Sequence, residues 1–141
     1  EVWSTFRVAR RAFPFGLKIS ESNECLIVKC SHDGYKRLKG SPIHTRKWIF
    51  EKEKIIIKDK IFGLFNTALC RFILHPEVTI SKQNSQIYIL TAPNNIRMTL
   101  TMVRGFAEVT NWNQTNEFGF LSDTKCLEIA LENGQSVVEM A

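Results

Sequence analysis

The side chains best suited to chemistry gather in one short stretch. "SHDGYKRLKGSPIHTRKWIF", residues 31–50, holds His32 and His44, two of the three histidines in 141 residues. His44, Arg46, Trp48 and Phe50 alternate, so on a strand they share one face. A guanidinium fork pairs bidentately with a carboxylate, and an indole face stacks on a flat ring. His44, Arg46 and Trp48 together therefore suit an acidic sugar. The structural reading is equally open: Trp48 and Phe50 belong to a core, with His44 and Arg46 at the solvated strand end. His32 shares the parity of Leu26, Val28 and Cys30, which turns its imidazole toward the covered face. There it is either a metal ligand or acid–base group, or a strand-end histidine capping the Asp33-Gly34 turn. A zinc site takes three or four protein ligands, and His32 is the one good candidate in view.

Asp59 falls on the inward parity of Ile55, Ile57 and Ile61, and a buried carboxylate needs a partner. Arg46 or Arg71 on a neighbouring strand supplies one. His75, before Pro76, reads as a strand end. There is no glycine-rich phosphate loop, no serine–histidine–acid pattern and no nucleic-acid motif. Cys25, Cys30, Cys70 and Cys126 lack C-x-x-C spacing, which argues against a cysteine zinc site. Cys25 and Cys30 would face opposite ways on one strand, so all four read as small buried apolar residues.

The elements that must position these groups are strands. Period-two alternation runs through "STFRVARRAF", "CLIVKC", "EKIIIKDKIF", "ALCRFILH", "EVTISK", "NIRMTLTM" and "KCLEIALE". In "NIRMTLTM" the aligned set is Ile96, Met98, Leu100 and Met102. "QIYIL" is apolar on both faces and reads as a central strand. Turn pairs such as Asp33-Gly34, Asn94-Asn95 and Asn133-Gly134 separate the runs. No stretch of ten residues keeps a helical period. The pattern predicts an all-β fold: an antiparallel β-sandwich of about ten or more short strands, forming a single domain over residues 1–141. Residues 111–125 read as a surface loop, and Asn113-Gln-Thr fits a glycosylation acceptor. A net charge of +5 favours anionic partners, and no apolar run reaches the roughly 20 residues of a membrane helix.

"EVWSTFRVARRA", "HDGYKRL", "IHTRKWIFEKEKIIIKDKIFG", "RFILHPEV" and "EFG", in that order, resemble the C-terminal part of the heparinase II/III-like family. These are polysaccharide lyases or lyase-like proteins, often tied to bacterial exopolysaccharides. The resemblance is strongest over residues 1–80 and thin beyond about 95. It implies a fragment of a larger protein in which a helical toroid precedes the sandwich. It also implies β-elimination at a uronic acid of an acidic polysaccharide such as a glycosaminoglycan. The family's catalytic tyrosine and histidine lie upstream, so no catalytic residue is expected here and the chain alone is expected to be inactive. In heparinase-II-like relatives two histidines and an aspartate hold a metal. His32 in "HDGY" looks like the last of those histidines, which implies a divalent ion such as zinc in the parent and none in the isolated chain.

The expected partners are acidic polysaccharide and the missing N-terminal toroid, with neither nucleic acid nor membrane. Family analogy implies a periplasmic or secreted location. Loss of the toroid is expected to expose aromatics such as Trp3, Phe13 or Trp112, so a homodimer of the fragment is expected. Two alternatives from other classes stay open: an independent carbohydrate-binding module with Trp48 or Trp112 as platform, and a basic nucleic-acid-binding β domain.

Overall fold

A computed structural model describes residues 2–4, 7–115 and 117–141, with side chains from residue 9 onward. The chain is all-β. After a small ribbon of β1 (Val2–Ser4) and β2 (Arg7–Val8) come β3 (Pro14–Glu21), β4 (Cys25–His32), β5 (Ile43–Glu51), β6 (Ile55–Phe62) and β7 (Leu69–Ile73). Then follow β8 (Thr79–Lys82), β9 (Ile87–Thr91), β10 (Arg97–Arg104), β11 (Phe106–Gln114), β12 (Ser122–Ala130) and β13 (Gln135–Met140). Among the described residues the one helical turn is a 3-10 turn at Pro93–Asn95.

The strands form two antiparallel sheets, one of eight strands in the order β3-β4-β5-β6-β13-β10-β9-β8 and one of three in the order β11-β12-β7. The small sheet lies over one face of the large one, a sandwich. Its core is Cys70, Tyr88, Leu100, Met102, Leu127, Ile129 and Val138, drawn from both sheets. Leu100 and Met102, two apart on β10, face Leu127 and Ile129, two apart on β12, as period two requires. Tyr88 is fully buried, and its hydroxyl donates to the Ala107 carbonyl at 2.7 Å, tying β9 to the small sheet.

Several expectations change on contact with this architecture. Residues 111–125 are not a loop throughout: β11 runs to Gln114 and pairs in register with β12 from Ser122. The Asn-rich composition argues for turns, but nine consecutive cross-strand pairs override it. "QIYIL" forms β9, which is paired on both sides, by β10 and β8, but lies next to the edge strand rather than mid-sheet. Ile96 and Met98 keep the parity of Leu100 but are exposed, because they lie at the start of β10, outside the shared core. Cys70 and Cys126 are buried as expected, whereas Cys25 and Cys30 are only half-buried, and all four are free thiols. Trp3 falls outside the described side chains. Phe13 is exposed, and Trp112 is half-buried.

Candidate functional site

The site grows from one hairpin and the strand beside it. β4 and β5 pair so that His32 stands opposite His44 and Cys30 opposite Arg46. β5 and β6 pair so that Arg46 stands opposite Asp59, and Asp59 in turn faces Ser136 on β13. Residues paired across a sheet share a face, so these groups meet on the side turned to the small sheet.

Asp59 is the hub. Arg46 grips its carboxylate with both ends of the fork, Nε to Oδ1 at 2.7 Å and Nη2 to Oδ2 at 2.9 Å. His44 Nε2 reaches Oδ1 at 2.6 Å. Ser136 Oγ lies 3.5 Å from Oδ2, and Arg46 Nη2 also approaches the Cys70 sulfur at 3.0 Å. The carboxylate is only 2% exposed, the imidazole 18% and the guanidinium 26%. No buried side-chain nitrogen or oxygen among the described residues lacks a partner, which is what a stable buried ion pair demands.

The tautomers follow from the donors. The Gly34 amide donates to His32 Nδ1 at 3.2 Å, so that nitrogen holds a lone pair and Nε2 carries the proton. His32 Nε2 then donates to His44 Nδ1 at 3.0 Å. That leaves the His44 proton on Nε2, where it donates to Asp59. The chain of hydrogen bonds runs one way, from a backbone amide through two neutral imidazoles to a carboxylate. Gly34 is required for a close approach: a Cβ there would stand 2.8 Å from the Ala12 Cβ and 3.1 Å from His32 Nδ1. Asp33 fastens the same turn by accepting from the Phe13 amide at 2.8 Å.

Burial alone would raise the Asp59 carboxyl. The hydrogen bonds from His44 and Arg46, with the guanidinium charge, outweigh it and hold the group down at about 2. Burial, and secondarily the Asp59 charge, push the Cys70 thiol up to about 12. It is therefore an inert thiol and not a nucleophile. Burial first, then His44, lower the His32 imidazole below its ordinary value, with Asp33 opposing.

These residues line a cavity of about 510 Å³ bounded also by Tyr35, Leu38, Ile61, Phe65, Arg71 and Leu131. Of the residues singled out for sugar binding, His44 and Arg46 reach the cavity and Trp48 does not line it. Trp48 is half-buried beneath the Arg46 guanidinium, which sits 6.0 Å from its ring. Trp112 is likewise covered, by Arg71 at 5.5 Å. Trp48 lines neither cavity, whereas Trp112 lines a second one of about 510 Å³ with Pro76, Asn111 and Lys125. The expected partner of Asp59 is Arg46; Arg71 pairs instead with Glu128 at 3.3 Å.

His32 is brought to His44 rather than to further metal ligands. Both of its ring nitrogens are engaged, and among the described residues no group of three His, Cys, Asp or Glu could hold a metal ion. The residues present do not fit a zinc site, and a ligand role for His32 would require its ring to give up either the Gly34 amide or His44.

Sequence reasoning missed the His32–His44 pair, although the two flank a hairpin loop and their opposition follows once that hairpin is in register. It also missed Cys70 and Ser136, which no local pattern points to; Ser136 is 77 positions from Asp59.

Residues 1–135 match the model of the family described as Heparinase II/III-like, C-terminal, and the chain belongs to that family. Among solved structures it is similar to heparan sulfate lyase HepC from Pedobacter heparinus, at 12% identity and a TM-score of 0.68, covering 92% of this chain and 21% of that one. A mutant of the same lyase matches at 11% identity, TM-score 0.68 and the same coverage. A heparinase III gene product matches at 9% identity and a TM-score of 0.68, covering 92% of this chain and 20% of the other. These likenesses establish a shared fold. The chain spans about a fifth of the length of those structures. No curated protein matches it.

Proposed function

We propose that the chain is the C-terminal β-sandwich region of a polysaccharide lyase that cleaves acidic polysaccharide by β-elimination at uronic acids, and that this region is itself non-catalytic. The observation that carries the reading is family membership over residues 1–135, joined to a fold shared with a fifth of a heparan sulfate lyase. In such an elimination a base removes the proton beside the sugar carboxylate, an acid assists the leaving oxygen, and cations or donors offset the charge that develops. The groups lining the cavity are poorly placed for those roles. Arg46 spends its charge on Asp59, His44 has both nitrogens engaged, and Cys70 stays protonated. Their role is to hold the hairpin and the turn at Asp33-Gly34 in a fixed shape against whatever the rest of the protein packs there. The reacting groups then come from a preceding toroid, and the natural setting is a bacterial periplasm or exterior.

Elimination leaves an unsaturated uronate that absorbs in the ultraviolet. The full-length protein is expected to raise that absorbance with heparan sulfate or another uronate polymer, and the 141-residue chain alone is not. No product from the full-length protein on any uronate polymer overturns the lyase reading. Product from the chain alone, abolished by a point substitution within it, overturns the non-catalytic role.

A further inference from the structure

The face of the large sheet turned away from the cavity carries a row of lysines. Lys18 on β3 pairs with Lys29 on β4, Lys29 with Lys47 on β5, and Lys47 with Lys58 on β6. Lys47 lies between Arg46 and Trp48, and Lys58 between Ile57 and Asp59. Their neighbours point to the small sheet, so the lysines point the other way. Lys18, Lys29 and Lys58 are exposed and Lys47 is half-buried. Strands lie about 4.8 Å apart, so the four stems form a line about 14 Å long across the sheet. Among the described residues none of the four is in an ion pair; the lysine that does pair, Lys54, reaches Glu51 and Glu139, the latter opposite Ile56 in the row beside the lysines.

Like charges facing each other across strands are unfavourable, and this row sets three such pairs in succession. Charged residues on a sheet edge guard against aggregation, but that accounts only for Lys18. Lys29, Lys47 and Lys58 sit on interior strands. A linear anion laid across the strands would relieve the repulsion at every step. On one side the row is flanked by Ile27, Ile49 and Ile56, and on the other by Ser31 and Thr45, whose hydroxyls lie 2.7 Å apart, and by Lys60. Ile56 and Thr45 are buried, but half-buried Ile27, Ile49 and Ser31 leave some carbon surface and a hydroxyl beside the line of cations, which matches a sugar polymer with carbon faces, hydroxyls and acidic groups. The row on the Ser31 side continues to Phe15 on β3, which is exposed and stands opposite Ser31; one ring gives a single stacking position, not the succession of rings on which nucleic-acid bases stack.

We propose that this lysine row is a binding site for an extended acidic polysaccharide, on the face opposite the cavity and separate from any cleavage site. The ligand class rests on the lyase reading above; the row itself does not.

The test uses the 141-residue chain and its binding to heparan sulfate over a range of salt concentrations, with a DNA oligonucleotide in parallel. A chain that neutralises several charges on a polyanion loses affinity as salt rises, with a slope that falls by about one for each cation removed. Lys29→Gln with Lys47→Gln is expected to weaken heparan sulfate binding at least about tenfold at physiological salt and to lower the slope by about two. Lys18→Gln with Lys29→Gln, both exposed, gives the same result without touching a half-buried position. Lys52→Gln, in the turn beyond β5, leaves binding unchanged. An unchanged slope in both double variants, or no heparan sulfate binding by the parent chain, overturns the site. Tighter binding to DNA, lost in the same variants, overturns the ligand assignment. If the full-length protein makes no unsaturated uronate while row-dependent binding persists, the lyase reading fails and the site stands. If it makes product and the slope is unmoved, the site fails alone.

Discussion

At the scale of single residues, Asp59 sets how the protein responds to acid. Its carboxyl is held at about 2 against an unfolded value of 3.8, so the stability it supplies is present above 3.8 and lost as pH falls toward 2. That difference is worth about 2 kcal/mol. His32 titrates earlier. Its folded value lies below 6.5, so the fold prefers the neutral ring; stability is full above 6.5 and declines as pH falls through the folded value. A proton added to His32 would have to sit on Nδ1, where it meets the Gly34 amide head-on. Thermal melts are expected to fall in two stages, one beginning below pH 6.5 and one below pH 3.8. His32→Gln should flatten the first stage. Asp59→Asn should remove the second and cost about 3–5 kcal/mol at neutral pH, because it strands the Arg46 charge. A melting temperature that stays constant as the pH is lowered through the ordinary histidine range would contradict the His32 assignment. Parity in the sequence was enough to turn Asp59 inward and to offer Arg46 as its partner. It could not choose between Arg46 and Arg71, because that depends on which strands become neighbours: β5 lies beside β6, while β7 joins the other sheet.

At the scale of elements, the turn after β4 is the device that aligns the site. Gly34 packs against Ala12 on one side and His32 on the other, with no room for a side chain. Gly34→Ala is expected to destabilise the chain by about 1–3 kcal/mol, the usual range for overpacking, and to displace the His32 ring from the Gly34 amide. The imidazole resonances of His32 and His44 in a nuclear magnetic resonance spectrum check this; a variant with wild-type stability and unmoved resonances refutes it. Strand existence was readable from alternation because the strands of the sandwich core have one face covered and the other wet. Strand extent was not, where composition and pairing disagree. Asn111 and Asn113 look like loop residues, yet they sit opposite Lys125 and Asp123 in an unbroken ladder.

At the scale of the whole molecule, the large sheet is wider than its cover. β3 is exposed along its length, with Leu17 62% and Ile19 63% exposed, and it is an edge strand. An uncovered apolar edge invites pairing with another copy. The 141-residue chain is therefore expected to self-associate with rising concentration, and Ile19→Lys to suppress it. Light scattering that shows a strict monomer at high concentration counts against this. The width mismatch was not visible in the sequence, since β3 alternates as well as any covered strand does.

The order of strands in the large sheet also bears on how fast the molecule can form. β3 to β6 make one meander and β8 to β10 another, each closed by short loops that find their ends quickly. The strand between the two blocks is β13, the last of the thirteen. Its Ser136 meets Asp59 across 77 positions of chain. Neither block can be joined to the other until that long closure is made, and closures of this kind slow folding more than they affect the stability finally reached. The meanders can assemble early as separate halves, each with a raw strand edge, and wait for β13. During that interval the edges of β6 and β10, which are sealed in the finished sheet, are the surfaces most open to misassembly.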